Sequence, residues 1–156
     1  MKRSIRIILL LAALICLSGC VSKFKQIKIT SVSLESVNPV GLKNYDAVVA
    51  LGIDNPAPSF NIMNLNADVR RDTVPVIHLK GENVAVAGRS SKIYRVPVSV
   101  QIDSAVSLLR LGVLARNFKA EEYKVDLSAR AVVGGVGKNL SFTDLSLADL
   151  MQKANR

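Results

Sequence analysis

Apolar and polar residues alternate with a period of two along most of the chain, the signature of half-buried strands. Ile27 and Ile29 share one parity and Val32 and Leu34 the other, so a bulge is expected near Thr30-Ser31. Tyr45, Ala47, Val49, Leu51 and Ile53 alternate with Asp46, Val48, Ala50, Gly52 and Asp54. The second of these faces is small and partly apolar, which places the strand inside a sheet. Leu65, Ala67 and Val69 begin another run, followed by strands over 74–79 and 84–87. Val96, Val98, Val100 and Ile102 alternate around Pro97, which points to an edge or a bulge. The cleanest alternation runs from Tyr123 to Val133, and Leu140 and Phe142 mark a last strand. Turn signals separate the runs: Asn38-Pro39 with Gly41, Asn55-Pro56-Ala57-Pro58, Gly81-Glu82-Asn83, Gly88 and Gly134-Gly135-Val136-Gly137. The expected fold is mainly β: an antiparallel, fibronectin III- or immunoglobulin-like sandwich of about seven strands. No internal repeat or low-complexity tract interrupts it.

One segment departs from period two. Asp103-Ser104 has the chemistry of a helix cap, and a helix is expected over 104–117. Ala105, Val106, Leu108, Leu109, Leu111, Val113 and Leu114 leave only Arg110 and Arg116 as charges. A helix apolar this far around should be mostly buried. It would either plug one end of the sandwich or act as a lid, with Leu108, Leu109 and Leu111 as an apolar-ligand or partner face. A second short helix is expected over 145–154.

The first twenty residues follow a different logic. Lys2, Arg3 and Arg6 precede an apolar run over 7–17, too short for the roughly 20 residues that span a bilayer core. The proportions are those of a secretory signal. Leu17-Ser18-Gly19-Cys20 resembles the bacterial lipobox. That resemblance implies cleavage between Gly19 and Cys20, with Cys20 becoming the acylated, palmitate-type first residue. The implied division is a signal peptide over 1–19, a lipidated tether over 20–26 and a domain over 27–156. Lys23, Lys25 and Lys28 lie in or just after the tether and are candidate membrane-surface contacts.

The whole chain has 156 residues, 49% of them hydrophobic, enough for one cored domain and a terminal segment. Lys2, Arg3 and Arg6 leave with the signal, so 21 basic residues become 18 against 12 acidic ones, a net charge of +6. Cys16 leaves too, and acylation consumes Cys20, so the mature chain has no free thiol and no disulfide. Its charges are scattered without interleaved aromatics, and a secretory address separates it from nucleic acid, which is not an expected partner.

Ile53-Asp54-Asn55-Pro56-Ala57-Pro58-Ser59-Phe60-Asn61-Ile62, then Val96-Pro97-Val98, then the Leu-rich segment over 108–111, form a strand–NP–turn–strand element, a Val-Pro-Val strand and a helix. This order resembles the late embryogenesis abundant type 2 family, also called the WHy domain, over about residues 27–133. The resemblance implies a β-sandwich with one inserted helix, no catalytic residue set, and a link to stress or cell-envelope roles.

The remaining chemistry is sparse. His78 is the only histidine, which excludes multi-histidine metal sites. Its parity is opposite to that of Ile77 and Leu79, as expected for a solvent-facing strand residue. Glu121-Glu122 are neighbours in sequence and would point apart on a strand. Gly134-Gly135-Val136-Gly137-Lys138 lacks the first glycine and the final Ser or Thr of a phosphate loop, and reads as a hairpin. No catalytic residue, metal or cofactor is expected. The expected partners are membrane lipid through acylated Cys20 and, further, an envelope protein or anionic lipid. A monomer in the cell envelope is expected, on the outer membrane facing the periplasm in a diderm bacterium, because Val21 is not the Asp of an inner-membrane retention signal.

Overall fold

The computed structural model describes residues 23–154. Eight strands appear in chain order: β1 (Lys28–Pro39), β2 (Asn44–Asn55), β3 (Phe60–Arg71), β4 (Val74–Gly81), β5 (Val84–Val86), β6 (Ser90–Ile102), β7 (Tyr123–Val133) and β8 (Val136–Ser146). Helix α1 (Leu108–Arg116) is inserted between β6 and β7, and helix α2 (Leu147–Ala154) follows β8. The fold is therefore mainly antiparallel β with an inserted helix and a short C-terminal one, as the alternation requires.

The strand order is β1-β2-β6-β4-β3-β7-β8, with β5 on β3. Hydrogen bonding joins all the described strands into one continuous antiparallel sheet. Strand β4 is the joint. It pairs with the second half of β3 on one side and with the end of β6 on the other. Strands β1 and β8 stand at the two ends of this order.

The local signals act as their chemistry dictates. Strand β1 slips register between Ile29 and Ser31, where the parity changes, and again between Leu34 and Ser36. Strand β2 is interior, between β1 and β6. Strand β6 is interior too, yet its ladder to β4 stops at Val98. Pro97 is the next residue, so its missing N–H costs no ladder bond, while its carbonyl accepts the Glu82 N–H at 3.0 Å. The glycine run is the β7–β8 hairpin, with Gly134 and Gly135 at φ 55° and 84° between paired Val133 and Val136. Left-handed backbone at both central positions is what a tight hairpin turn demands of glycine.

Helix α1 corrects two expectations. It starts at Leu108, not Ser104, because Asp103 caps the preceding turn by accepting the Ala105 N–H at 2.8 Å. Ser107 is the true cap, its Oγ accepting the Arg110 N–H at 3.2 Å. Nor is the helix mostly buried: Leu109 is 87% exposed, and Leu108 and Val113 are also exposed. A lone helix laid on one end of a sheet offers the core a single stripe. Leu111 and Leu114, three residues apart, supply it, with Val106 buried in the turn before. They close over Val69, Val76, Ile102, Tyr123 and Val125, the packed core at that end. Phe118 lies against Tyr123, ring centroids 5.1 Å apart. Leu114→Ala is expected to cost about 2–4 kcal/mol in chemical denaturation, and Leu109→Ala no more than about 0.5 kcal/mol.

Helix α2 starts two residues after the expected 145, because β8 continues to Ser146, whose Oγ accepts the Asp149 N–H at 3.4 Å.

Candidate functional site

Three regions hold the residues that sequence reasoning nominated or overlooked. The first is where the chain enters. Gly19 and Cys20, the cleavage and acylation positions, lie outside the described residues. Lys23, Lys25 and Lys28 are exposed. A short turn closes between them, with the Gln26 N–H donating to the Lys23 carbonyl at 3.1 Å. This turn sets Phe24 edge-on to Phe60, ring centroids 6.1 Å apart. Part of the expected tether is thus folded onto the domain, because Phe24 is apolar and Phe60 offers it a partner.

A polar knot precedes Phe60 in the chain. Asn55 is fully buried. Its Oδ1 accepts the Ala57 N–H at 3.0 Å, and its Nδ2 donates to the Ala87 carbonyl at 2.9 Å and the Pro58 carbonyl at 3.3 Å. The Arg89 N–H donates to the Ala57 carbonyl at 3.0 Å, and Tyr94 Oη accepts the Ala87 N–H at 2.9 Å. A Cβ on Gly88 would come within 2.5 Å of the Ser59 backbone nitrogen, so only glycine lets these two turns meet. The NP turn and the β5–β6 turn are joined as one body. Beside them an open depression of about 510 Å³ is lined by Phe60, Val86, Ala87 and Gly134.

The second region is helix α1. Leu108, Leu109 and Leu111 do not form one face: the first two point outward and Leu111 packs against the core. Beneath the helix lie the packed side chains of the core. A second depression, of about 580 Å³, is lined by polar residues such as Asn64, Lys80 and Glu82, away from α1.

The third region was missed. His78 is clamped between two carboxylates: Nδ1 lies 2.6 Å from Asp68 Oδ1 and Nε2 lies 2.8 Å from Asp103 Oδ2. Asp68 is directly across the β3–β4 ladder, and Asp103 follows β6, its N–H donating to the Val76 carbonyl at 2.9 Å. Lys43 Nζ donates to the Ser104 carbonyl at 3.1 Å and secures the same turn. With a carboxylate at each ring nitrogen, the protonated imidazole can donate to both. The hydrogen bond to Asp103, then that to Asp68, raises its pKa above the ordinary 6.5. The hydrogen bond from His78, then that from the Ala105 N–H, holds Asp103 below the ordinary 3.8. Neither ring nitrogen is open to take a substrate proton or a metal. Among the described residues no group of His, Cys, Asp and Glu is placed to hold a metal ion.

The clamp therefore fastens the turn leading into α1, in a pH-dependent way. The histidine's contribution is complete below 6.5 and fades as pH rises through its raised value. The Asp103 contribution is complete above 3.8 and fades as pH falls through its lowered value. Hydrogen exchange of residues 105–114, corrected for intrinsic rates, is expected to be slowest between those limits and to accelerate on the alkaline side. His78→Gln should remove that alkaline acceleration, at a stability cost of no more than about 1 kcal/mol near pH 6, since the pair is partly solvated.

No family model matches the chain, and no curated protein does. Among solved structures, it is similar to a protein from Archaeoglobus fulgidus at 15% identity and TM-score 0.47, covering 74% of this chain and 97% of that one. It is also similar to part of a β-glucuronidase from glycoside hydrolase family 2, at 14% identity and TM-score 0.37, covering 75% of this chain but 12% of the enzyme. What the fold itself defines is the class: a mainly antiparallel β domain with one helix plugging an end. No helix among the described residues is long and apolar enough to cross a membrane.

Proposed function

We propose that the chain is a non-catalytic lipoprotein of the bacterial cell envelope, cut before Cys20 and acylated there, with a LEA type 2-like domain as its binding or envelope-maintenance module. The observation that carries this reading is the order of charge, apolar run, small residues and cysteine over residues 2–20, followed at once by folded chain. Phe24 is already seated on the domain four residues after Cys20. The domain is thus held within about 15 Å of its attachment point even if that link is fully extended. Two or more acyl chains, at about 0.8 kcal/mol per buried methylene, hold such a protein firmly to a bilayer. The non-catalytic reading draws support from His78, whose nitrogens are both engaged structurally. A monomer on the outer membrane of a diderm fits Val21 after the cysteine.

The test is the mass of the mature N-terminal peptide, with flotation of the protein from isolated membranes. A peptide beginning at Cys20 and carrying fatty acids is the expected result. A mature chain that starts elsewhere, or an unmodified Cys20, would remove the basis of the proposal.

A further inference from the structure

We infer that the pole where the chain enters the domain is a docking face for an anionic lipid surface, so that the domain stands end-on with α1 pointing away. This rests on the lipoprotein reading and adds an orientation and a lipid class to it.

Strand register defines the pole. Lys28 of β1 is opposite Asp54, Asn55 of β2 is opposite Ser90, Phe60 of β3 is opposite Val86, and Val133 meets Val136 at the hairpin. The Phe24–Phe60 contact and the Asn55 knot bind the entry segment and two of these turns together. The 510 Å³ depression joins them to the hairpin, since Ser59, Ala87 and Gly134 all line it.

Charge separates this pole from the rest of the molecule. The entry segment contributes Lys23, Lys25 and Lys28; the β5–β6 turn and the start of β6 contribute Arg89 and Lys92; Arg130 and Lys138 flank the hairpin. Against these seven stand two acids, Asp54 and Glu82, the latter set level with Arg130 by the turn between β4 and β5. The other 11 basic and 10 acidic residues of 20–156 nearly cancel, so +5 of the net +6 belongs to this pole. Among the described residues the ion pairs lie elsewhere: Arg70 with Asp126 and Asp144, Arg71 with Glu122, His78 with Asp68 and Asp103, and Arg95 with Glu35. The pole's cations enter none of these pairs, whereas Arg70, Arg71 and Arg95 are each matched to a carboxylate.

The hairpin adds an apolar tip. Val136 is 77% exposed between Arg130 and Lys138. An apolar tip flanked by cations is the composition that settles at a headgroup boundary. Geometry makes the encounter unavoidable: Cys20 is three residues from Lys23, about 10 Å at most, comparable to one Debye length at physiological salt.

The experiment uses the acylated chain reconstituted in vesicles. Acylation leaves the mature protein without a free thiol, so Val136→Cys and, separately, Leu109→Cys each take a single fluorophore. Quenching by headgroup-labelled lipid is read in phosphatidylcholine alone and with about one-third phosphatidylglycerol. The expected result is quenching at 136 only in the anionic vesicles, reversed by high salt, and none at 109. Each lost basic residue weakens the docked state about fivefold, so Lys28→Gln, Lys92→Gln and Lys138→Gln together should weaken it roughly a hundredfold. Equal quenching in neutral vesicles, quenching at 109 instead of 136, or an unchanged response in the triple variant would overturn the proposal. So would no response to anionic lipid, which would leave the charge to a protein or polymer partner. Flotation reports the anchor separately. If the chain does not float, the lipoprotein reading falls, and docking is then judged by salt-sensitive cosedimentation of that chain with anionic vesicles, where absence of binding overturns it.

Discussion

Asn55→Ala is expected to lower the unfolding free energy by about 3 kcal/mol, a large share of what a domain of this size has. The side chain is fully buried, and most of its value lies in its hydrogen bonds. Removing it leaves the buried Ala57 N–H without an acceptor and withdraws a donor from the Ala87 and Pro58 carbonyls. Each unsatisfied buried group costs about 1–3 kcal/mol. Ser90 Oγ still donates to the Ala87 carbonyl, which keeps the total below the sum of three such penalties. Urea denaturation should show a lower midpoint with an unchanged slope. Asn55→Asp is the sharper variant. It keeps the acceptor for Ala57 but turns a carboxylate oxygen toward two carbonyls, so its loss at pH 7 should equal or exceed that of alanine and shrink on acidification. A midpoint shift below about 1 kcal/mol in both variants would show that the two turns hold without the knot.

Cys20→Ala has the largest effect expected outside the folded body. On the lipoprotein reading, the thiol is the acceptor of the lipid, and cleavage depends on that modification. The variant should persist as uncleaved precursor, take up no radiolabelled fatty acid, and still show the thermal unfolding of the parent domain. Folding is spared because the described core is drawn from Val69, Val76, Ile102 and their neighbours, all far along the chain from residue 20. Normal processing or undiminished labelling in this variant would refute the assignment of the acyl site.

Much of the architecture was readable because period-two alternation is a direct consequence of strand geometry. The bulge at Ile29/Ser31 could be located from a parity change alone, and the Gly134-Gly135 turn from its composition. The His78 clamp could not. The β3–β4 hairpin turns at Asp72-Thr73, and an unbroken ladder from Arg71↔Val74 would put His78 opposite Ala67. The slip between Val69 and Arg70, next to Pro75, moves it opposite Asp68 instead. A single extra residue in one strand decides which side chains meet, and nothing local in the sequence announces it. Helix α1 was misjudged for a related reason. Composition tells how apolar a helix is, whereas burial depends on how many sides its neighbours occupy. The basic pole lay hidden because Lys28, Arg89 and Lys138 are distant in sequence and converge only through strand register.

On the lipoprotein reading, the two register slips in β1 have a consequence for a protein crowded on a surface. Free sheet edges invite a second chain to add strand to strand, and confinement to a plane multiplies such encounters. An edge interrupted at Ile29/Ser31 and again at Leu34/Ser36 presents no long straight row of donors and acceptors. Neighbouring copies would find stretches too short to zip together, which lets the domain reach high density without polymerising.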